Sequence, residues 1–220
     1  METPTLDEER ALMRDGYHRI AGLDEAGRGA LAGPVVAAAL MLPLEDRDHE
    51  DILSAMAGVR DSKMLTPQAR QALFPHILRF ACAVGVGLVW QQEIDAFGIV
   101  AATRRAMTMA VRALPIPPDH LIVDSLTLPQ VCIPQRVLIR ADSSVLSVAC
   151  ASIVAKVVRD HLMTCAEATY SGYGFSQHKG YGTPQHLRAL AELGPCALHR
   201  LSFAPLRGVS PTCAENATLA

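Results

Sequence analysis

Aromatic residues and long apolar runs are both scarce in this chain of 220 residues. Aromatics make up 5% of the sequence, so a core has to be built mainly from Ala, Val, Leu and Ile. The longest uncharged run, residues 29–44, contains Pro34 and Pro43 and is shorter than the roughly 20 residues that a membrane-spanning helix needs. The acidic start of the chain also lacks the charged-then-apolar order of a signal peptide. We therefore expect a cytoplasmic protein without a membrane segment.

Cysteines at zinc-binding spacing are absent as well. The six cysteines form no C-x-x-C pair and have no histidine partner at zinc spacing. Each lies in an apolar segment or in the C-terminal tail, which predicts reduced and mostly buried thiols. Half of the residues are hydrophobic and 19% are charged. A single domain of this length can therefore bury a core without disulfides or structural zinc.

The net charge is only −2, but it is unevenly distributed. Residues 1–135 carry 12 basic and 17 acidic side chains, whereas residues 136–207 carry 8 basic and 4 acidic ones. The small total argues against a general nucleic-acid-binding protein. The asymmetry has two interpretations, ordinary fluctuation or a basic C-terminal third that meets phosphates beside an acidic metal site.

Short apolar segments bounded by Gly or Pro predict five strands, at residues 20–24, 35–42, 84–90, 121–124 and 137–139. We interpret Gly85 and Gly87 as places where another backbone approaches the third strand. Helices are predicted from a Thr66–Pro67 cap to Phe80, over residues 91–114 and 145–168, and from Thr183–Pro184. This order of elements fits an α/β domain with a mixed central sheet.

Four carboxylates end or follow predicted strands. They are Asp24, Glu25, Asp124 and Asp142. In open α/β sheets, this edge is where binding sites are built. Buried carboxylates need a cationic partner, and only Arg28 and Arg140 are near them in sequence. Oxygen ligands favour Mg²⁺ or Mn²⁺ over zinc, so the pattern indicates such a cation, although each Asp alone also fits a solvated turn or a helix cap.

A glycine-rich segment follows the first two acids. Its Gly27-x-Gly29-x-x-x-Gly33 spacing fits neither the dinucleotide-binding pattern nor a P-loop. The whole run GLDEAGRGALAGPVV, residues 22–36, resembles the opening signature of bacterial ribonuclease HII. Further matches to that family follow in its order, at residues 61–65, 122–124, 141–143, 151–160, 173–175 and 178–183. The resemblance covers about residues 18–207.

The resemblance implies a ribonuclease H-like α/β fold, with a mixed five-stranded central sheet flanked by helices and a C-terminal helical part that binds substrate. The domain would span residues 18–207, with the substrate-gripping part from about residue 170, an N-terminal extension over 1–17 and a flexible tail over 208–220. The implied activity is metal-dependent hydrolysis of the RNA strand of RNA–DNA hybrids, including single ribonucleotides embedded in duplex DNA. Cleavage would leave 3′-hydroxyl and 5′-phosphate ends. We expect the enzyme to be a monomer.

The same resemblance implies that the four acids are catalytic metal ligands, with Asp24, Glu25 and Asp124 as the principal ones and Asp142 completing the site. In two-metal hydrolysis, one cation activates a water and the other stabilises the leaving oxygen. The sequence departs from the family pattern before the fourth acid, where Arg140 and Ala141 replace a Lys-Gly pair. Loss of that glycine would shift the Asp142 carboxylate.

The resemblance also implies a set of substrate contacts. A loop of Gly27, Arg28 and Gly29 would contact the ribose 2′-hydroxyl, the group that distinguishes RNA from DNA. Tyr181 would pack on the neighbouring deoxyribose. The remaining candidate contacts are Ser62, Lys63, Lys156, Arg159 and Lys179. On spacing alone, these residues also fit a polar turn or the solvated face of a helix, and His178 also fits a structural hydrogen-bonding role.

Two other functions stay open from the residues alone. One is a DNA-directed nuclease of the same fold, which the glycine–arginine loop and Tyr181 argue against, since such an enzyme needs no 2′-hydroxyl sensor. The other is a non-catalytic protein that binds hybrids. Retention of all four acids argues against this second function.

Overall fold

Five strands form one mixed sheet in the computed structural model, which describes residues 3–208. In chain order they are β1 (Ile20–Ala26), β2 (Val35–Met41), β3 (Ala83–Val89), β4 (His120–Asp124) and β5 (Gln135–Leu138). Their order across the sheet is β3-β2-β1-β4-β5. The first three strands pair antiparallel, while β4 runs parallel to both β1 and β5. The predicted mixed five-stranded sheet is confirmed.

Helices cover both faces of this sheet. In chain order they are α1 (Asp7–Arg14), α2 (His49–Ala55), α3 (Pro67–Phe80), α4 (Gln91–Phe97), α5 (Ile99–Arg112), α6 (Ala141–Ser144), α7 (Leu146–Thr169), α8 (Phe175–His178) and α9 (Pro184–Leu193), with a 3₁₀ turn at Ser62–Met64. The predicted caps of α3 and α9 are present, because the Thr66 and Thr183 hydroxyls accept backbone N–H bonds in the first turn. Within residues 3–208, no helix is both long and apolar enough to cross a membrane.

Small residues let the helices approach the sheet closely. A Cβ added to Gly85 or Gly87 of β3 would lie 2.1 Å from a carbonyl oxygen of α5. The prediction that another backbone meets these glycines is therefore confirmed. On the opposite face, a Cβ on Gly22 of β1 would lie 2.4 Å from the Ser147 backbone in α7. Close backbone packing of this kind explains how a chain with few aromatics fills its core.

The single helix predicted over residues 91–114 is wrong, because Gly98 divides it. Gly98 has φ 81°, a conformation that favours glycine, and it ends α4 and begins α5. The apolar periodicity continues across the break, which is why the pattern alone predicts one helix.

The prediction that the thiols are mostly buried is also wrong. The described cysteines are free, but Cys82, Cys132 and Cys165 are exposed. An apolar sequence context does not report which face of an element a residue occupies.

The segment predicted as an N-terminal extension packs on the domain. Leu6 and Leu12 are buried in the same core as α7, and Thr5 forms a parallel bridge with Val145. In α1, the buried Glu9 carboxylate accepts a hydrogen bond of 3.0 Å from the backbone N–H of Ser147, at the start of α7. The domain limits themselves stay a prediction. Most of the predicted tail, residues 209–220, lies outside the described residues, as does Cys213.

Candidate active site

Three carboxylates meet where β1 and β4 run side by side. Asp24 and Glu25 lie in β1, and Asp124 ends the parallel neighbour β4. One carboxylate oxygen from each residue lies within 4.8 Å of the others. Asp24 is only 3% exposed, so its charge is removed from water. A single cation could bridge all three side chains at this spacing.

The electrostatics of this trio are unfavourable without a cation. Burial, together with the negative charges of Glu25 and Asp124, raises the pKa of Asp24 well above its usual value. Burial also raises the pKa of Glu25, although the neighbouring Arg28 guanidinium opposes the rise. Crowded buried carboxylates are typical of functional sites, where a ligand supplies the missing charge.

One oxygen of the trio lacks a partner. Glu25 Oε1 accepts a hydrogen bond of 3.2 Å from Arg28 Nη1, whereas Glu25 Oε2 is buried with no hydrogen-bond partner among the described residues. A buried acceptor without a partner destabilises a fold unless a ligand satisfies it. All the available donor atoms are carboxylate oxygens, which suit a hard divalent cation. The residues present therefore fit a divalent metal.

Asp142 lies beside the trio and has a different partner. Its Oδ2 accepts a hydrogen bond of 2.9 Å from Lys63 Nζ, and the Ala141 N–H donates to Asp124 Oδ1 at 2.8 Å. Lys63 comes from the 3₁₀ turn, 79 residues away, so sequence proximity could not identify it. The replacement of glycine by Ala141 places no strain there, because Ala141 is helical and the left-handed residue is Arg140, with φ 58°.

The glycine–arginine loop connects β1 to β2 next to the acids. Gly27 has φ 97°, and a Cβ there would lie 2.0 Å from Arg159 Nε. A side chain at Gly27 would therefore project into the protein interior and overlap Arg159. A Cβ on Gly29 would meet nothing within 4 Å, so that side of the loop is open.

The loop and the Tyr181 segment are held together. Leu31 N–H donates to the Gly180 carbonyl at 2.8 Å. The Tyr181 ring lies under two cations, because Lys156 Nζ and Arg159 Cζ are each 5.1 Å from its centroid. The fold thus brings together the two segments that the resemblance assigns to substrate.

The other predicted substrate contacts differ in their exposure. Arg159 is 0% exposed and, within residues 3–208, donates only to main-chain carbonyls, which argues against the predicted contact with substrate. Lys156 pairs with Asp160 at 2.8 Å, and Lys179 Nζ donates to the Ser176 carbonyl. The basic character of the C-terminal third is therefore partly internal. Ser62 is buried, whereas the Lys63 side chain is 72% exposed.

Sequence reasoning missed a second buried arginine. Arg200, also 0% exposed, donates to the carbonyls of Gly33 and Arg28. Its acceptors are more than 160 residues distant, so neither spacing nor charge pattern could have identified this role.

Three histidines lie near Tyr181, and all are held by hydrogen bonds. His178 Nδ1 accepts from the Gly180 N–H, and its Nε2 bonds the Tyr173 carbonyl, which fits the structural role. His186 and His199 join through their Nε2 atoms at 3.0 Å, and His186 Nδ1 bonds the Tyr181 carbonyl at 3.0 Å. Burial lowers the pKa of both to about 4, so the pair is neutral at pH 7.

An open mixed sheet that gathers oxygen ligands at the carboxyl end of its parallel strands is an arrangement of metal-dependent enzymes. The comparisons with known proteins specify which enzymes. A family model described as Ribonuclease HII matches residues 21–206. The chain is 50% identical over 216 residues to a ribonuclease HII of Roseiflexus castenholzii, covering 98% of this chain and 95% of the relative. It is 51% identical over 203 residues to one of Chloroflexus aurantiacus, covering 92% and 94%.

Solved structures agree with these relatives. The crystal structure of ribonuclease H2 from Pyrococcus horikoshii superposes with a TM-score of 0.71 at 26% identity, covering 86% of this chain and 96% of that one. The Archaeoglobus fulgidus ribonuclease HII, solved in complex with PCNA, gives 0.68 at 25%, covering 84% and 94%. The chain belongs to the ribonuclease HII family. It is a metal-dependent endoribonuclease that cleaves the RNA strand of RNA–DNA hybrids.

Proposed function

We propose that cleavage takes place at divalent cations, Mg²⁺ or Mn²⁺, held by Asp24, Glu25 and Asp124, with Asp142 completing the site. The observation that carries this assignment is the convergence of three carboxylate oxygens within 4.8 Å, with Asp24 buried and the other two residues partly buried. When bound, such cations supply an activated water and stabilise the leaving 3′-oxygen of a phosphodiester, the chemistry of two-metal hydrolysis.

The neighbouring residues orient these ligands. Arg28 holds one oxygen of Glu25, and the Ala141 N–H holds one oxygen of Asp124. Lys63 neutralises Asp142, which limits the negative charge that a phosphate has to approach. Fixed partners of this kind preserve ligand geometry, and their loss commonly reduces metal affinity.

We assign ribonucleotide recognition to the face formed by the Gly27–Gly29 loop and Tyr181. The open space at Gly29 supports close approach of a sugar to the backbone there. Because this face would recognise one nucleotide at a time, we infer that the substrate includes single ribonucleotides embedded in duplex DNA. The remaining proposed substrate contacts around this face are Ser62, Lys63, Lys156 and Lys179, of which Lys156 and Lys179 would contact phosphates. The substrate-gripping part would be residues 170–207, acting in a monomer.

The decisive experiment uses three duplexes of one sequence: all DNA, DNA with a single ribonucleotide, and a full RNA–DNA hybrid. We expect cleavage of the last two only, with Mg²⁺ or Mn²⁺ present and none with EDTA. Products should carry 3′-hydroxyl and 5′-phosphate ends. Cutting of the all-DNA duplex would instead support the DNA-directed nuclease, and tight hybrid binding without cleavage would support the non-catalytic alternative.

Tyr181 provides a narrower test with a matched control. Tyr181→Phe keeps the flat ring, whereas Tyr181→Ala removes it. We expect Tyr181→Ala to slow cleavage at a single embedded ribonucleotide roughly tenfold more than cleavage of a long hybrid, because only the former depends on positioning one junction. Mn²⁺ affinity should be unchanged in both variants. Equal losses on both substrates would mean that the ring supports the site in general.

A further inference from the structure

We propose that Arg159 is a positioning residue that fixes the glycine–arginine loop against the Tyr181 segment and thereby sets the preference for single embedded ribonucleotides. This inference rests on the proposed function, since it assumes that the two segments read the ribonucleotide together. In this role Arg159 does not contact a phosphate; it acts on substrate only through the residues that it holds in place.

The guanidinium joins two separate segments of the chain. Arg159 Nε donates to the Pro34 carbonyl at 2.9 Å and Nη2 to the Ala32 carbonyl at 3.1 Å, both in the stretch that leads from the loop into β2. Nη1 donates to the Lys179 carbonyl at 3.0 Å, two residues before Tyr181. A planar fork with fixed donor directions holds these three acceptors in one relative position, which a flexible ammonium group does not do.

The same side chain also contacts both elements that we propose recognise the ribonucleotide, the Gly27–Gly29 loop and Tyr181. Its Cζ lies 5.1 Å from the centroid of the Tyr181 ring. On the other side, its Nε occupies the space into which a Cβ on Gly27 would project, at 2.0 Å. A displacement of Arg159 would therefore move the loop and the ring relative to each other. Small misplacements of substrate-positioning groups cost large factors in rate.

Complete burial separates this role from direct binding of substrate. Arg159 has no exposed surface, so a phosphate could reach it only if the loop opened. The phosphate-facing cations have to be sought elsewhere, for example at the exposed Lys63. Arg200 holds the same loop from the C-terminal part, through the carbonyls of Arg28 and Gly33. The loop is thus fixed from behind by two guanidinium groups.

The test uses Arg159→Lys, which keeps the charge and removes the fork. Its control is Arg112→Lys, the same change at an exposed position of α5. Both variants and the wild type are assayed on a duplex with one ribonucleotide and on a full hybrid. We expect Arg159→Lys to lower the ratio of the two rates roughly tenfold and Arg112→Lys to leave it unchanged. Because both rates come from one preparation, partial unfolding of a variant cancels in the ratio.

Two further measurements separate positioning from other roles. The salt dependence of duplex binding should be the same in Arg159→Lys and wild type, and so should Mn²⁺ affinity measured without substrate. The double variant with Tyr181→Ala should lose no more selectivity than Tyr181→Ala alone, because both changes disturb one unit. An unchanged rate ratio in Arg159→Lys, or fully additive losses, would overturn the inference. If the wild type itself failed to cut the embedded ribonucleotide, the proposed function would fail first.

Discussion

The acidic edge of the sheet and the interior behind Tyr181 solve the problem of buried polar groups in opposite ways. At the edge, like charges crowd together and Glu25 Oε2 has no hydrogen-bond partner among residues 3–208. Behind Tyr181, Arg159 and Arg200 donate to backbone carbonyls, and the histidine pair is neutral and fully bonded. The first region needs a ligand to be satisfied, whereas the second is complete in itself. Chemistry and positioning are therefore carried by different regions.

The largest expected effect comes from changing the charge of the acidic edge without changing its shape. Asp124→Asn should reduce cleavage on the order of a thousandfold at saturating Mg²⁺. Without metal, the variant should be at least as stable as wild type, because repulsion with Asp24 is relieved and the amide oxygen can still accept the Ala141 N–H. Single-turnover rates and thermal melting in EDTA measure the two effects. Normal turnover would contradict the metal assignment.

The two loop glycines give the next largest contrast. Gly27→Ala should destabilise the protein by about 2–4 kcal/mol, since the residue is left-handed and its Cβ would overlap Arg159. Gly29→Ala should change stability by no more than about 0.5 kcal/mol, because its Cβ would point into open space. It should nevertheless slow cleavage at an embedded ribonucleotide. Denaturant unfolding and the rate ratio on two substrates distinguish these outcomes, and equal destabilisation by both changes would refute the difference.

The neutral histidine pair predicts a pH dependence. The pKa of His186 and His199 falls to about 4 on folding, so the unfolded chain binds more protons between pH 4 and 6.5. Stability from the pair is full above pH 6.5 and is lost as pH falls, by about 1.4 kcal/mol per pH unit for each histidine. The neighbours facing the pair are His178, stacked on His186, and the Cys196 thiol, 3.2 Å from His199.

Comparing wild type with a variant isolates the contribution of the histidine pair to the pH dependence of stability. The carboxyl groups of Glu9, Asp24 and Glu25 have raised pKa values and contribute the opposite trend. We therefore compare wild type with the double variant His186→Asn/His199→Gln in denaturant titrations from pH 4.5 to 7.5. The stability difference should shrink toward acidic pH. A constant difference would show that the pair is not neutral in the folded state.

The smallest effect is expected from the surface charges of the C-terminal third. Lys156→Gln should weaken binding of all duplexes alike and reduce the salt slope by at most about one unit, since Asp160 already compensates this charge. Affinity measured across a salt series tests this. A loss of affinity confined to duplexes with an embedded ribonucleotide would instead assign Lys156 to ribonucleotide recognition, together with the Gly27–Gly29 loop and Tyr181.

The sequence predicted the features that depend on local chemistry. Caps at Thr66 and Thr183, close approach at Gly85 and Gly87, and the gathering of acids at strand ends all follow from residue type and spacing. Gly98 could have been identified as a break, because an isolated glycine in a helical pattern is a known signal. The partners of Asp142 and Arg159 could not, since they depend on contacts 79 and 125 residues apart.

The docking of α1 has a consequence for how the chain is made. Glu9 meets Ser147 across 138 residues, and Thr5 pairs with Val145. On the ribosome, this helix emerges before its partners, which are translated only after all five strands and the connections between them. Contacts between distant segments form late, because a large loop has to close before they are made. Helix α1 therefore takes its final place only after all five strands of the sheet have been synthesised.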